Sequence, residues 1–259
     1  MGRYTNYISY KDAISKVPIN AGDTVQVSSS VLRFMCACRE NGEIFDANLF
    51  IDSVMHQIGP KGTLIFPTYN WDFCRGVPFD VSRTPSQAGA LGNTALKRAD
   101  FRRTQHPIYS FAVSGHDKDH LCGLNDMSAF GPGSPFAYMY EKSAKHLFLG
   151  IDYKDAFTLV HHVEEKVGVP YRYLKDFSGE YVTKEGSVSS RLYKMYVREP
   201  SLCRKTEISP RTDEVLLGKG FYSKCSINGI PFGLIDVHGI ADVMEGDIRD
   251  GASLVYPIK

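Results

Sequence analysis

An alternation most narrows what this chain can fold into. Through the first 170 residues, short apolar runs that end in small or polar residues take turns with helix-patterned segments. Residues 24–27, 62–67, 108–113 and 146–150 read as strands. Residues 7–17, 45–58 and 86–97 carry apolar positions at helical spacing, with Gly59 as a stop and Gly89 and Gly92 weakening the last segment. Ser134 followed by Pro135 reads as an N-cap and first helical residue, and 158–165 opens a further helix. This order predicts an α/β fold, a central mixed β-sheet flanked by helices.

The pattern loosens after Pro170. Residues 178–198 read as a hairpin turning at 184–187, and 211–219 as a short helix. Ile-Asn-Gly-Ile at 227–230 is a strong hairpin turn, 237–244 reads as a helix, and a strand closes the chain near 254–255. The expectation is one domain over 1–259, with an α/β core at 1–175 and a mixed part at 176–259 that adds strands to the same sheet.

Charge excludes several classes of function. Lys and Arg number 30 against 29 Asp and Glu, a formal net charge of +1, so no basic excess points to nucleic acid and no polybasic run to membrane lipid. No apolar run is long enough to span a bilayer, and the first residues lack the apolar core of a signal peptide. Cysteines 36, 38, 74, 122, 203 and 225 are scattered, which suits free thiols in the cytoplasm. The Cys36/Cys38 pair and the His116/His120 pair each lack the further ligands a metal site needs, so no metal is expected.

Several stretches carry polar groups that an apolar frame does not require. His161 shares a helix face with Glu164 and Glu165, and an imidazole beside a carboxylate can serve as a general base near neutral pH. His162 lies about 100° around the same helix and is the second choice of base, since both cannot face one reacting group. Glu165 reads as solvated. Ser28, Ser29 and Ser30 close a strand, where hydroxyls and amides face ligands in α/β folds; a helix N-cap by Ser29 or Ser30 is the competing reading. Tyr69, Trp71 and Asp72 stand in an aromatic and acidic loop that suits a sugar or an amine. The loop Phe130, Gly131, Pro132, Gly133, Ser134 precedes a helix start, which suits an anion or simple capping. His106 is held extended by Pro107.

These stretches, in this order, resemble the aminoglycoside 3-N-acetyltransferase (antibiotic N-acetyltransferase) family. The matching pieces are residues 22–30, the block from Gly62-Thr63-Leu64 to Trp71-Asp72, Arg103-Thr104-Gln105-His106-Pro107 with Ser110, and residues 158–164. Phe79-Asp80, Gly89-Ala90-Leu91 and Ser134-Pro135 fit the same pattern, and the likeness is strongest over 5–175. It implies acetyl transfer from acetyl-coenzyme A to an amine, on an α/β fold unlike that of GNAT acetyltransferases. The GNAT pyrophosphate motif does not occur here.

The resemblance makes His161 the base and Glu164 its orienter, with His106 as a second cleft residue. It implies that coenzyme A is held by Ser28, Ser29, Ser30, Val31 and Ser110 and by Phe130, Gly131, Gly133 and Ser134. It implies that Tyr69, Trp71, Asp72 and Asp80 face the acceptor. Oxyanion donors are sought among the amides near Ser29 to Val31 and the Ser110 hydroxyl. Family members often place an acid where this chain has Asn93, and the overall balance is near neutral. Both points favour a less charged amino sugar, such as one nucleotide-linked for a surface polysaccharide, over a polycationic drug. Aminoglycoside inactivation and a non-catalytic coenzyme A or sugar-binding protein are the alternatives. Self-association as a homodimer is left open.

Overall fold

The computed structural model describes residues 6–258. In chain order, β1 (Thr24–Ser29) leads into α1 (Leu32–Glu40) and α2 (Ala47–Ile58), followed by β2 (Thr63–Pro67) and the two-residue β3 (Phe79–Asp80). Next come α3 (Ala90–Ala95), β4 (Arg102–Arg103), β5 (Phe111–Gly115), α4 (Lys118–Gly123), α5 (Pro135–Glu141), β6 (Lys145–Leu149) and α6 (Val160–Val167). The C-terminal third holds β7 (Arg172–Val182), β8 (Val188–Arg198), β9 (Lys205–Ile208) and α7 (Arg211–Gly218). It ends with β10 (Tyr222–Ile227), β11 (Ile230–Asp236), α8 (Val237–Asp250) and β12 (Val255–Ile258).

Seven strands form the main sheet in the order β10-β11-β6-β1-β2-β5-β4. Parallel pairs join β1 to β2 and to β6, while β5, β4, β11 and β10 add antiparallel edges, so the sheet is mixed. The C-terminal β10–β11 hairpin does extend this sheet, through β6. Its turn has Asn228 and Gly229 at φ 52° and 70°, the left-handed pair a two-residue hairpin needs. A separate sheet, β3-β7-β8, stands apart from it, and β9 pairs with β12.

Strand pleating divides the interior into two layers. Val25, Val27, Leu64 and Phe66 pack with Phe34 of α1, Phe50, Ile51 and Val54 of α2, and Leu91 of α3. Ile65 and Phe148 face the other way, into the layer shared with α5, α6 and α8. Each fully buried Val, Leu, Ile or Phe contributes roughly 1.5–3 kcal/mol. The alternating face of β1 also turns Gln26 and Ser28 into that second layer, opposite His146 and Phe148 of β6.

Local sequence chemistry explains most boundaries. Asp46 caps α2 by accepting from the amides of Asn48 and Leu49, and Gly59 ends it. Ser134 caps α5 with Pro135 in its first turn, as expected. Four expectations need correction. Residues 7–17 form only a 3-10 turn at Ala13–Lys16. Residues 31–44, which the strand and helix pattern leaves unassigned, contain α1. Its N-cap is Val31, and neither Ser29 nor Ser30 caps it. The helix expected over 86–97 shrinks to α3, since the Asn93 side chain clamps residue 86 by accepting from its amide and donating to its carbonyl. Finally, β5 starts at Phe111 rather than at residue 108, because His106 Nδ1 accepts from the amides of Ile108 and Tyr109 and holds them in a turn.

Candidate active site

α6 carries the central pair. His161 and Glu164 sit one turn apart, and His161 Nδ1 lies 2.8 Å from Glu164 Oε2. The carboxylate is fully buried, whereas a quarter of the imidazole side chain remains exposed. A carboxylate at Nδ1 fixes the tautomer with the proton on that nitrogen, leaving the Nε2 lone pair to accept. Glu164 is held on both oxygens: the Tyr171 hydroxyl donates to Oε1 at 3.1 Å, the Thr206 hydroxyl at 3.3 Å, and Arg172 Nε stands 2.8 Å from Oε2. Burial pushes this carboxyl upward, but the bond and charge of His161, the Arg172 guanidinium and the Tyr171 hydroxyl together hold it below the usual value. For His161, burial dominates over the raising effect of Glu164, so its pKa falls below the ordinary imidazole value.

His161 lines a cavity of about 590 Å³. Its walls come from Tyr109 and Phe130 and from the C-terminal third, which contributes Arg172, Tyr196, Arg198, Cys203, Arg204 and Lys205. Four of these residues are cations, and among the described residues no carboxylate lines the cavity. The edge of the His161 ring packs 5.3 Å from Phe130, centroid to centroid. His162 turns away: its Nδ1 bonds the Phe130 carbonyl at 2.7 Å, and it lines a second, more apolar cavity of about 360 Å³ behind Phe130. Of the two candidate bases, His161 alone shares a cavity with the cations. Glu165, expected to be solvated, is half-buried and accepts from the Ser128 hydroxyl at 2.7 and 2.9 Å.

Other expected residues fall elsewhere. His106 is no cleft residue: it is buried, packs 4.9 Å from the Tyr193 ring, and does not line the His161 cavity. Its link to that cavity is indirect, through the backbone of Tyr109. Ser110 is fully buried, and its hydroxyl is committed to Thr68 and to Arg103 Nε at 2.9 Å, so it can serve neither cofactor nor oxyanion. Ser28 bonds His146 Nε2 at 2.9 Å, and the Ser30 amide donates to Leu149; neither these nor Ser29 and Val31 line the cavity.

The loop at 131–134 already holds an internal anion. Asp126 accepts from the amides of Ser128 and Gly133 at 3.0 and 2.7 Å, and a Cβ on Gly131 would meet Asp126 Oδ2 at 2.6 Å. Ser134 is committed to capping α5; Phe130 is the one member of this group that lines the His161 cavity.

On the acceptor side, Trp71 is exposed and its Nε1 donates to the Tyr109 hydroxyl at 3.5 Å, with Tyr69 edge-on to both rings. Asp72 is bound by Arg75 and Gln87, and Asp80 accepts from the amides of Ser82 and Arg83 in its own turn. Neither acid lines the His161 cavity. Sequence reasoning missed Tyr109, which lies inside a family-matching block, and also Arg172, Arg198, Arg204 and Thr206, which lie in stretches without any local motif. Arg172 and Arg198 are opposite ends of a hairpin pair, a juxtaposition only the register reveals.

Solved structures place this architecture. A complex of AAC-IIIb with CoASH superposes at a TM-score of 0.75, with 19% identity over 93% of this chain and 95% of that one. AAC-VIa bound to sisomicin gives 0.74, with 19% identity over 95% and 98%. YokD from Bacillus subtilis gives 0.73, with 17% identity over 95% and 93%. A comparison with curated protein sequences finds no match. The fold and its family pattern define an acetyl-coenzyme A-dependent N-acetyltransferase of a kind distinct from GNAT. The pattern of the family described as aminoglycoside 3-N-acetyltransferase matches residues 30–246, and the chain belongs to that family.

Proposed function

We propose that the enzyme acetylates the amine of an amino sugar with His161 as general base, and that the acceptor carries negative charge, as a nucleotide-linked sugar does. The observation that carries the chemistry is the His161–Glu164 bond of 2.8 Å on a cavity wall. In this reading His161 Nε2 takes a proton from the amine as its nitrogen attacks the thioester carbonyl carbon. The C–N bond forms, the C–S bond breaks, and the imidazolium returns its proton to the leaving thiolate. Tyr109, whose hydroxyl accepts from Trp71 and keeps its own proton, is the wall residue suited to donate to the oxyanion.

The charge of the cavity supports an anionic acceptor. Arg198, Arg204 and Lys205 suit diphosphate, which acetyl-coenzyme A and a nucleotide sugar both contain. A polycationic drug needs free carboxylates near the base, and Asp72 and Asp80 are already engaged. A second reading, an aminoglycoside acceptor, is favoured by the family itself and by the sisomicin bound to AAC-VIa.

Thiol release from acetyl-coenzyme A, measured with nucleotide amino sugars, free amino sugars and aminoglycosides, tests both. The expected outcome is the highest kcat/KM with a nucleotide amino sugar. Turnover confined to aminoglycosides overturns the preference for an anionic acceptor. His161→Ala is expected to lower kcat/KM by about 10²–10⁴-fold, and unchanged turnover in that variant removes His161 from the base role.

A further inference from the structure

Glu164 Oε2 is shared. His161 Nδ1 and Arg172 Nε both stand 2.8 Å from this one oxygen, inside a site where the carboxylate is fully buried and the Arg172 side chain only 6% exposed. The guanidinium is itself pinned. One terminal nitrogen donates to the Tyr196 carbonyl at 3.2 Å and the other to the Thr206 hydroxyl at 3.2 Å, and that hydroxyl passes its own proton towards Glu164 Oε1.

An isolated His–Glu pair in a buried site favours imidazolium, because the proton converts a lone anion into a neutral pair. Here Arg172 has already neutralised Glu164. Protonating His161 would therefore place a net positive charge in the wall. The charged and titratable groups that face it are Glu164 on its own helix, Tyr109 before β5, Tyr171 and Arg172 where the chain enters β7, Tyr196 and Arg198 on β8, and Cys203, Arg204 and Lys205 where it enters β9. All but Glu164 are cationic or neutral.

We infer that Arg172 is a positioning residue which, by claiming Glu164, keeps His161 in the unprotonated form that accepts a proton. The working unit is then Arg172–Glu164–His161, and β7 takes part in catalysis without touching substrate. The catalytic consequence rests on His161 being the base; the effect on the imidazole itself does not.

Two readouts separate these. The first is the NMR titration of the His161 ring, assigned by its loss in His161→Ala. The second is the pH dependence of kcat/KM. Arg172→Gln removes the charge and keeps a donor. It is expected to raise the His161 pKa, and with it the acid limb of kcat/KM, by about one pH unit or more, a roughly tenfold loss of free base on the acid side. Arg172→Lys keeps the charge and is expected to titrate with the wild type.

A folded Arg172→Gln protein whose His161 titrates as in the wild type, or lower, overturns the inference. If Arg172→Gln does not fold, Arg172→Met, which keeps the stem and removes the charge, decides: a His161 pKa raised by a unit supports the inference, and a wild-type pKa overturns it. Failure of the base reading looks different. The NMR shift then appears in Arg172→Gln while the rate profile stays put, or His161→Ala keeps the full profile.

Discussion

Burial acts on several imidazoles of this chain in one direction and to different ends. His106 and His146 are enclosed so completely that their pKa values fall to about 4 and about 3 from an ordinary 6.5. Among the described residues His146 lies against Phe148 with only Ser28 as a polar partner, and His106 uses Nδ1 to fix the turn leading to Tyr109. The unfolded chain takes up these protons first. The stability contributed by the neutral rings is therefore fully present above about pH 6.5 and is lost as pH falls towards the folded values of about 4 and 3. Each pH unit of separation is worth about 1.4 kcal/mol. Denaturant titrations at about pH 7.5 and about pH 5 should show wild type losing roughly 2 kcal/mol per ring. A His146→Leu, Ser28→Ala double variant should lose correspondingly less over that interval. Equal losses in the two proteins would remove His146 from the account. The same residues show how far a sequence can be read at this scale. His106-Pro107 marks an unusual backbone, but which groups its ring meets depends on residues 108, 109 and 193, which no spacing rule connects.

Elements with their punctuation written into the chain were legible. Asp46 and Gly59 bound α2, Ser134 and Pro135 open α5, and Asn228-Gly229 turns β10 into β11. α1 was not legible, because its inner stripe of Phe34, Ala37 and Cys38 is short and stands among the charges of Arg33, Arg39 and Glu40. Ser110 was visible as a polar residue within an expected strand, and the family resemblance gave it to the cofactor, since a hydroxyl looks the same whether it meets a cofactor or an arginine. The structure gives it to Arg103, a guanidinium that burial pushes down to about 10 and that spans Ser110, Thr68 and Thr84 where β2, β4 and β5 meet. Ser110→Ala should therefore cost about 1–3 kcal/mol of stability by leaving a buried charged donor short of a partner. The KM for acetyl-coenzyme A should stay unchanged. A several-fold rise in that KM without loss of stability would return Ser110 to the cofactor.

Across the whole molecule, the site joins two unlike parts of the chain. α6 and the loops from the main sheet supply His161, Glu164, Phe130 and Tyr109, where the family pattern is dense in sequence. The β7–β8 hairpin and β9 supply the cations, where it is not. A formal net charge of +1 conceals this, since the total averages a cationic cavity with acids committed to turns and ion pairs elsewhere. The arrangement predicts an electrostatic signature. Arg204 is exposed on the cavity wall, so reversing its charge disturbs little packing. At saturating acetyl-coenzyme A, Arg204→Glu should lower kcat/KM for a nucleotide amino sugar by roughly tenfold at low ionic strength. The deficit should shrink as salt approaches about 0.15 M, where the screening length falls to about 8 Å. An uncharged amino sugar should lose little, because nothing on it meets the reversed charge. A cationic aminoglycoside, if it is turned over at all, should gain. An equal loss for charged and uncharged acceptors would mean that Arg204 shapes the wall rather than its field, and a loss confined to the KM for acetyl-coenzyme A would assign the cations to the cofactor's phosphates instead of the acceptor's.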